Sequence, residues 1–357
     1  MGVVDIHGKL RVALGTVKDH VSIGKAIIYN NLHQELGKTF SDIEIAVLRA
    51  TGHDNGPFDD KHMHQILFLV SNAPSTAASI AFLAEHISRR LSKTRDPLVA
   101  LKTLFLIHRL LRGGNRCFEQ QLRRARISGH LQLQISFSHH LPCSFLHKYA
   151  AYLEERIGWA INQAGKLEPA NYYANNKYCI DMVFRKLPKC QVFIDKVLDC
   201  WAIYADDNTN VWSSPSQVAA MTMSNTLKES FQVYMTYCEG VAALVNMFFD
   251  LSMPARALAC RILKTAAQQT QQLHQVYENC RRVLDSKNLE YPTVEILTMD
   301  HVRALENYSN YQLPITKFTG KEGDEKEATI TSSPSQLETK VSKVWVMFED
   351  EDHLINY

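Results

Sequence analysis

The chain has 357 residues, of which 46% are hydrophobic and 21% charged, with a formal net charge of +2 at pH 7. That length accommodates one large or two ordinary domains with ample core, and the balance is that of an ordinary soluble globular protein. A near-neutral total excludes a surface coated in nucleic-acid-binding charge, so any anion binding has to rest on local patches.

The opening residues, Met1-Gly2-Val3-Val4-Asp5-Ile6, lack the apolar core of a secretory signal. Ile6 also stands where N-myristoylation at Gly2 wants Ser or Thr. Helical periodicity then runs through the chain. Ile43, Val47 and Leu48 form one apolar stripe, and Met63, Ile66, Leu67 and Val70 the next. Ala78, Ile80, Ala81, Leu83 and Ala84 form a third, closed by Arg89-Arg90. Leu98, Leu101, Leu104, Phe105, Leu110 and Leu111 are apolar nearly all round, which predicts a central helix, stopped by Gly113-Gly114. Lys102, His108 and Arg109 interrupt this run, which is too short and too charged to span a bilayer.

A shorter helix is expected over 117–126, followed by helices over 144–159, 191–204, 217–249 and 255–284, with Pro254 well placed at a helix start. Residues 171–177 read as a surface segment. Asn288-Leu289-Glu290-Tyr291-Pro292 breaks the pattern before a final helix over 294–308. The polar stretches 321–327 and 331–335 have no period and read as disordered.

Strand signals are scarce, and short loops between helices imply antiparallel neighbours stacked in order. The expected fold is all-α, a superhelical solenoid of antiparallel helices with a disordered C-terminal tail. No strict repeat is visible. The division expected is an N-terminal segment, 1–20, a helical domain, 21–310, and a flexible tail, 311–357. The eight cysteines include no Cys-x-x-Cys pair, and several sit in apolar helical stretches, so they read as buried thiols in a reducing compartment.

One segment concentrates charge at a turn. The helix through Ile43 should end near Gly52, Asn55-Gly56-Pro57 signals a turn, and the next helix should start near Asp59. Arg49 at the end of one helix and Lys61 and His62 in the first turn of the next can converge there, with His53 as a weaker helper. Several donors with solvent access, beside the free N–H groups of a helix start, suit a phosphate-bearing ligand. Asp59 and Asp60 sit in the same corner. An acid at a helix start is also an N-cap or dipole partner, and it occupies the place a phosphate would use.

Arg49, Ala50-Thr51, His53 and then Asp59-Asp60-Lys61-His62 resemble the phosphoinositide-binding motif of ANTH domains, the membrane-binding modules of clathrin assembly proteins. The resemblance continues through Leu101-Lys102-Thr103-Leu104 with His108, Gly113-Gly114, Lys228-Glu229-Ser230-Phe231 and Asn288-Leu289-Glu290-Tyr291-Pro292, over roughly residues 8–310. It is strongest to the plant branch of that family. It implies a non-enzymatic adaptor on clathrin-coated pits and vesicles, at the plasma membrane and Golgi-derived membranes. The implied partners are a phosphoinositide membrane surface, clathrin, and SNARE helices on 217–283. Where lipid-binding members carry lysines, this chain has Asp59 and Asp60.

Other readings remain beside that one. The same fold with a lost lipid grip would be a protein-interaction scaffold. His53-Asp54, Asp59, Asp60, His62 and His64 also resemble the ligands of a metal-dependent helical phosphohydrolase of the HD type, although no distant helix offers a convincing remainder of the set. No nucleophile–base arrangement or Gly-rich phosphate loop can be picked out, so no enzyme, cofactor or metal is expected. Lys102 and His108 read as satisfied core-edge residues. Arg109, Arg112, Arg116, Arg123, Arg124 and Arg126 form a second basic region, either a membrane-facing patch or a solvated face. In the tail, Trp345, Val346, Met347, Phe348 and Glu349 resemble a degenerate clathrin-box peptide without its leading Leu.

Overall fold

The computed structural model describes residues 6–30, 35–54, 56–136, 142–159, 161, 173–174, 177–205, 217–283 and 290–311. Those residues form eleven α-helices and one two-residue strand pair. In chain order the helices are α1 (Ile6–Asn30), α2 (Glu35–Ala50), α3 (Asp60–Ser71), α4 (Thr76–Lys93), α5 (Pro97–Gly113), α6 (Arg116–Ile127), α7 (Pro142–Ile157), α8 (Ile180–Tyr204), α9 (Gln217–Asn246), α10 (Met253–Val283) and α11 (Met299–Tyr311). A single 3-10 turn, Phe248–Asp250, joins α9 to α10.

The packing follows the chain. α1 lies on α2, α2 on α3 and α4, α3 on α5, α4 on α6, α5 on α7, α7 on α8, α8 on α9 and α10, and α10 on α11. From α2 onward the helices bury apolar stripes against neighbours close in sequence, which is how a solenoid builds a continuous core. The all-α superhelix expected from periodicity is the fold found.

α5 is the spine. Asp96 caps it by accepting the Leu98 N–H at 2.9 Å, and Pro97 occupies its first turn, where no N–H is needed. It is buried almost continuously from Val99 to Leu111. Gly114 ends it with φ −73°, so close packing rather than a left-handed turn requires glycine here. A Cβ at Gly114 would lie 2.5 Å from Phe118 Cδ1 and 2.8 Å from the Leu110 carbonyl oxygen.

Burying α5 means burying His108, and the chain supplies it a polar interior. His108 Nδ1 meets the Tyr149 hydroxyl at 2.8 Å and Nε2 meets Glu229 Oε2 at 3.1 Å. The same carboxylate accepts from Tyr152 at 2.6 Å and from Arg156 Nε at 2.9 Å. Glu229 and Arg156 are fully buried. Burial alone would raise the Glu229 carboxyl, but Arg156 and His108 hold it well below the usual carboxylate range. Burial pushes the His108 imidazole down despite the opposing Glu229 charge. α5, α7 and α9 are thus joined through one buried anion.

Some expected boundaries move. α8 begins at Ile180 rather than 191 and runs through Pro188, because buried Val183 and Leu187 continue its apolar stripe toward Cys190 and Ile194. α11 begins at Met299 rather than 294. The preceding backbone is held by side chains instead: the Glu295 N–H donates to the Tyr234 hydroxyl at 2.9 Å and the Leu297 N–H to Thr270 Oγ1 at 3.2 Å. Within the expected surface segment, Tyr173–Ala174 pairs antiparallel with Lys177–Tyr178. The expected division at 20/21 falls inside α1, which is one helix from Ile6 to Asn30. The polar tail and Trp345, Val346, Met347, Phe348 and Glu349 lie outside the described residues.

Cys117, Cys179, Cys190, Cys200, Cys238, Cys260 and Cys280 are free thiols, with Cys190, Cys200, Cys260 and Cys280 buried. Burial pushes Cys190 and Cys280 up to about 12. No described helix is long and apolar enough to cross a membrane.

Candidate anion-binding corner

The loop between α2 and α3 is fixed by three basic side chains from the next two helices. At its start, Arg90 of α4 donates from Nη2 to the Thr51 carbonyl at 2.9 Å and from Nε to Thr51 Oγ1 at 3.2 Å. In its middle, Lys102 of α5 donates to the Asp54 carbonyl at 2.7 Å and to Oδ1 at 3.1 Å. At its end, Arg109 of α5 holds Asp60, the first residue of α3. Phe58 is buried edge-on against Phe105, 4.9 Å between centroids. Lys102, 2% exposed, is a satisfied core residue as expected. Its ammonium outweighs the effect of burial on Asp54 and keeps that carboxyl below its usual range.

Asp59 caps α3. Its Oδ1 accepts the Lys61 N–H at 2.9 Å, and its Oδ2 pairs with Lys61 Nζ at 2.8 Å. Hydrogen bonds from the Lys61 ammonium and N–H hold the Asp59 carboxyl below the usual range. The Lys61 and Asp59 side chains are 70% and 50% exposed, and an ion pair so open to water is weak and exchangeable. The acid therefore serves as the N-cap and also competes for the lysine.

Arg49 is exposed in the last turn of α2. His62 is half-buried, and one ring nitrogen, Nδ1, is enclosed without a hydrogen-bond partner. Burial lowers its pKa, a hydrogen bond with Gln65 opposes that, and the positive charges of Lys61 and Arg49 lower it further. His62 therefore lies in the electrostatic field of both cations.

His53 is placed elsewhere. Its Nδ1 meets Asp19 Oδ2 of α1 at 2.8 Å, and its side chain is only 11% exposed. A Cβ at Gly15 would come within 2.3 Å of the His53 ring, so α1 can approach only because glycine stands there. Arg90 completes the cluster on the same carboxylate at 2.5 and 2.9 Å. Burial would raise the Asp19 carboxyl, but His53 and Arg90 bring it below its usual range. Sequence reasoning missed Asp19 and Arg90. The signal available was an aspartate at the centre of a long amphipathic helix, with no local basic partner one turn away.

The second basic region is largely engaged internally. Arg109 pairs with Asp60 at 2.7 Å, Arg126 with Glu154 at 3.8 Å, and Arg112 lies 3.7 Å from Glu229. Arg123 donates to the Ile157 carbonyl at 3.0 Å. Among the described residues no group of three or more His, Cys, Asp or Glu side chains could hold a metal ion. His53, Asp54, Asp59 and Asp60 each face a different partner.

A model of the ANTH domain matches residues 42–311. The chain is 50% identical to an Arabidopsis thaliana protein named "Putative clathrin assembly protein At1g33340", across 98% of this chain and 96% of that one. Two further Arabidopsis thaliana proteins, named "Putative clathrin assembly protein At5g57200" and "Putative clathrin assembly protein At2g01600", are each 28% identical across 84% of this chain. The chain spans about half the length of those two.

Proposed function

The chain belongs to the ANTH-domain family, and from that premise we propose that it is a non-enzymatic endocytic adaptor that binds phosphoinositide membranes and promotes clathrin coat assembly. Arg49, Lys61 and His62 contact the headgroup phosphates. The lipid is a ligand held by charge and hydrogen bonds, and no bond is made or broken. His53, engaged by Asp19, supports the corner loop rather than reaching the lipid.

The observation that carries this reading is the shared field of Arg49, Lys61 and His62 at an exposed helix start whose loop is fixed by Arg90, Lys102 and Arg109. A fixed loop limits the entropy lost when several donors meet one ligand. α1 adds a second observation. Leu10, Leu14, Val17, Val21 and Ile28 are exposed along one helical stripe, with Leu14 and Val17 at 63% and 60%. Such a stripe suits a helix lying in the membrane interface.

The likeness to ANTH-domain proteins supports the coat and cargo functions as part of this reading. Clathrin is the coat partner, and the protein works peripherally on coated pits and vesicles at the plasma membrane and Golgi-derived membranes. An amphipathic SNARE helix would dock at the α9–α10 junction, where Phe249, Met253 and Leu258 are exposed.

The engagement of Lys61 by Asp59 favours a second reading, a protein-interaction scaffold of the same fold without a lipid grip. Sedimentation with phosphatidylcholine vesicles, with and without phosphatidylinositol 4,5-bisphosphate, separates the two. The adaptor sediments only with the phosphoinositide, and the scaffold with neither.

A further inference from the structure

A groove of about 820 Å³ opens between α1, the C-terminal half of α4 and the turn that leads into α5. Arg11 and Lys18 of α1, Arg89, Arg90 and Lys93 of α4, and Arg95 of the turn line it. His53 forms part of its wall, whereas Arg49, Lys61 and His62 take no part in it.

Two of the three acids that line the groove, Asp19 and Asp96, are already occupied. Asp19 is held by Arg90 and His53. Asp96 caps α5 through the Leu98 N–H. Burial raises the Glu44 carboxyl, against the opposing charge of Arg89. Among the described residues Arg11, Lys18, Lys93 and Arg95 form no ion pair, and these four and Arg89 are exposed. The last carbonyls of α4 oppose an anion, and Arg90 and Lys93 in its last turn offset them.

His86 points to what the groove takes. It is 6% exposed, it lines the groove, and both of its ring nitrogens are buried without a hydrogen-bond partner. Its ring stacks on Phe82, 6.1 Å between centroids. Burial, with Arg89, Arg90 and Lys93 nearby, holds the imidazole at about 4, so at neutral pH it offers one uncharged N–H. A buried donor without an acceptor is unusual; both nitrogens are enclosed, so an anionic oxygen in the groove reaches the N–H once a side chain of the wall shifts.

We propose that the α1–α4 groove is a second anion site, separate from the α2–α3 corner, that takes a compact molecule bearing several phosphates. Arg11, Lys18, Arg89, Lys93 and Arg95 bind the phosphates, and the His86 N–H supplies the one directional contact at the wall. The volume exceeds that of a single phosphate, and cations on both walls suit phosphates spread around a ring. A lipid headgroup and a soluble polyphosphate share that chemistry.

The test is calorimetric titration of the whole chain with inositol hexakisphosphate at physiological salt. The wild type should show two saturable events, one at the corner and one at the groove. The triple variant Lys18→Ala, Arg89→Ala, Lys93→Ala should weaken the groove event about tenfold or more. The corner triple Arg49→Ala, Lys61→Ala, His62→Ala should remove the corner event and leave the groove event within about twofold. All three replaced groove residues are exposed, and thermal melting confirms that the variant folds. The His86 ring resonances should shift on titration in the wild type. An unchanged groove event in the groove variant, its equal loss in the corner variant, or immobile His86 resonances would overturn the proposal. Repeating the comparison on vesicles containing phosphatidylinositol 4,5-bisphosphate identifies the source. Loss there too means a lipid headgroup, and loss confined to the soluble probe means a diffusible polyphosphate.

Discussion

Asp60 and Arg109 hold each other at two points, Nε donating to Oδ1 at 2.9 Å and Nη2 to Oδ2 at 2.7 Å. The pair ties the first turn of α3 to the spine helix, so Asp60 is a structural anchor rather than a free charge in the corner. Asp59 is different, because among the described residues its ion-pair partner is Lys61, itself open to water. Asp59→Asn keeps an N-cap residue and removes the competitor. It should strengthen binding to phosphoinositide vesicles about fivefold, the effect of about 1 kcal/mol for one charge near an anionic surface. Asp60→Asn should instead lower the melting temperature by loosening α3 from α5, which differential scanning calorimetry would record.

The buried anion Glu229 makes a prediction about stability. Arg156→Met leaves that carboxylate buried without its main cation, and breaking such a pair costs about 3–5 kcal/mol. Adding Glu229→Gln to Arg156→Met removes the stranded charge and should recover part of the loss. Urea unfolding of the two variants measures both quantities, and equal losses would mean that the charge pair is not what holds α7 to α9.

pH acts on stability through His86. A histidine depressed on folding binds more protons unfolded, so its contribution is fully present above its unfolded pKa near 6.5 and is lost as pH falls toward its folded value of about 4. The full window corresponds to roughly 3 kcal/mol. His108 is depressed as well and acts in the same direction. The unfolding free energy should fall between pH 6.5 and 4, and His86→Phe should flatten that slope. His62 is also lowered, so any gain in vesicle binding from its protonation should appear only below pH 6.5.

The exposed stripe of α1 predicts a hydrophobic contribution to vesicle binding. Leu14→Glu with Val17→Glu places two acids where the helix would meet lipid. Vesicle sedimentation should fall while the melting temperature stays close to wild type, since neither side chain is buried.

Local physics was legible in the sequence and long-range pairing was not. The spacing of Met63, Ile66 and Val70 gave α3, and the near-continuous apolar run from Leu98 marked α5 as central; both sets are buried. Asp59 could be read as an N-cap because the cap and its N–H are two residues apart. Pro188 inside α8 could not, since tertiary packing of Val183 and Leu187 overrides a local break. His53 sits beside Arg49 in sequence, yet its partner Asp19 is 34 residues away on α1. No periodicity reports that distance. Glu229 was readable only as part of a family-like stretch, and nothing local reported that His108, Tyr152 and Arg156 share its carboxylate.

The most direct measurement is vesicle sedimentation of the triple variant Arg49→Ala, Lys61→Ala, His62→Ala beside the wild type, on membranes containing phosphatidylinositol 4,5-bisphosphate at low salt. The three side chains lie on exposed or half-buried turns, so the fold should survive their loss. The corner account predicts that the variant stays in the supernatant while the wild type sediments. Sedimentation of the variant to the wild-type extent would contradict it.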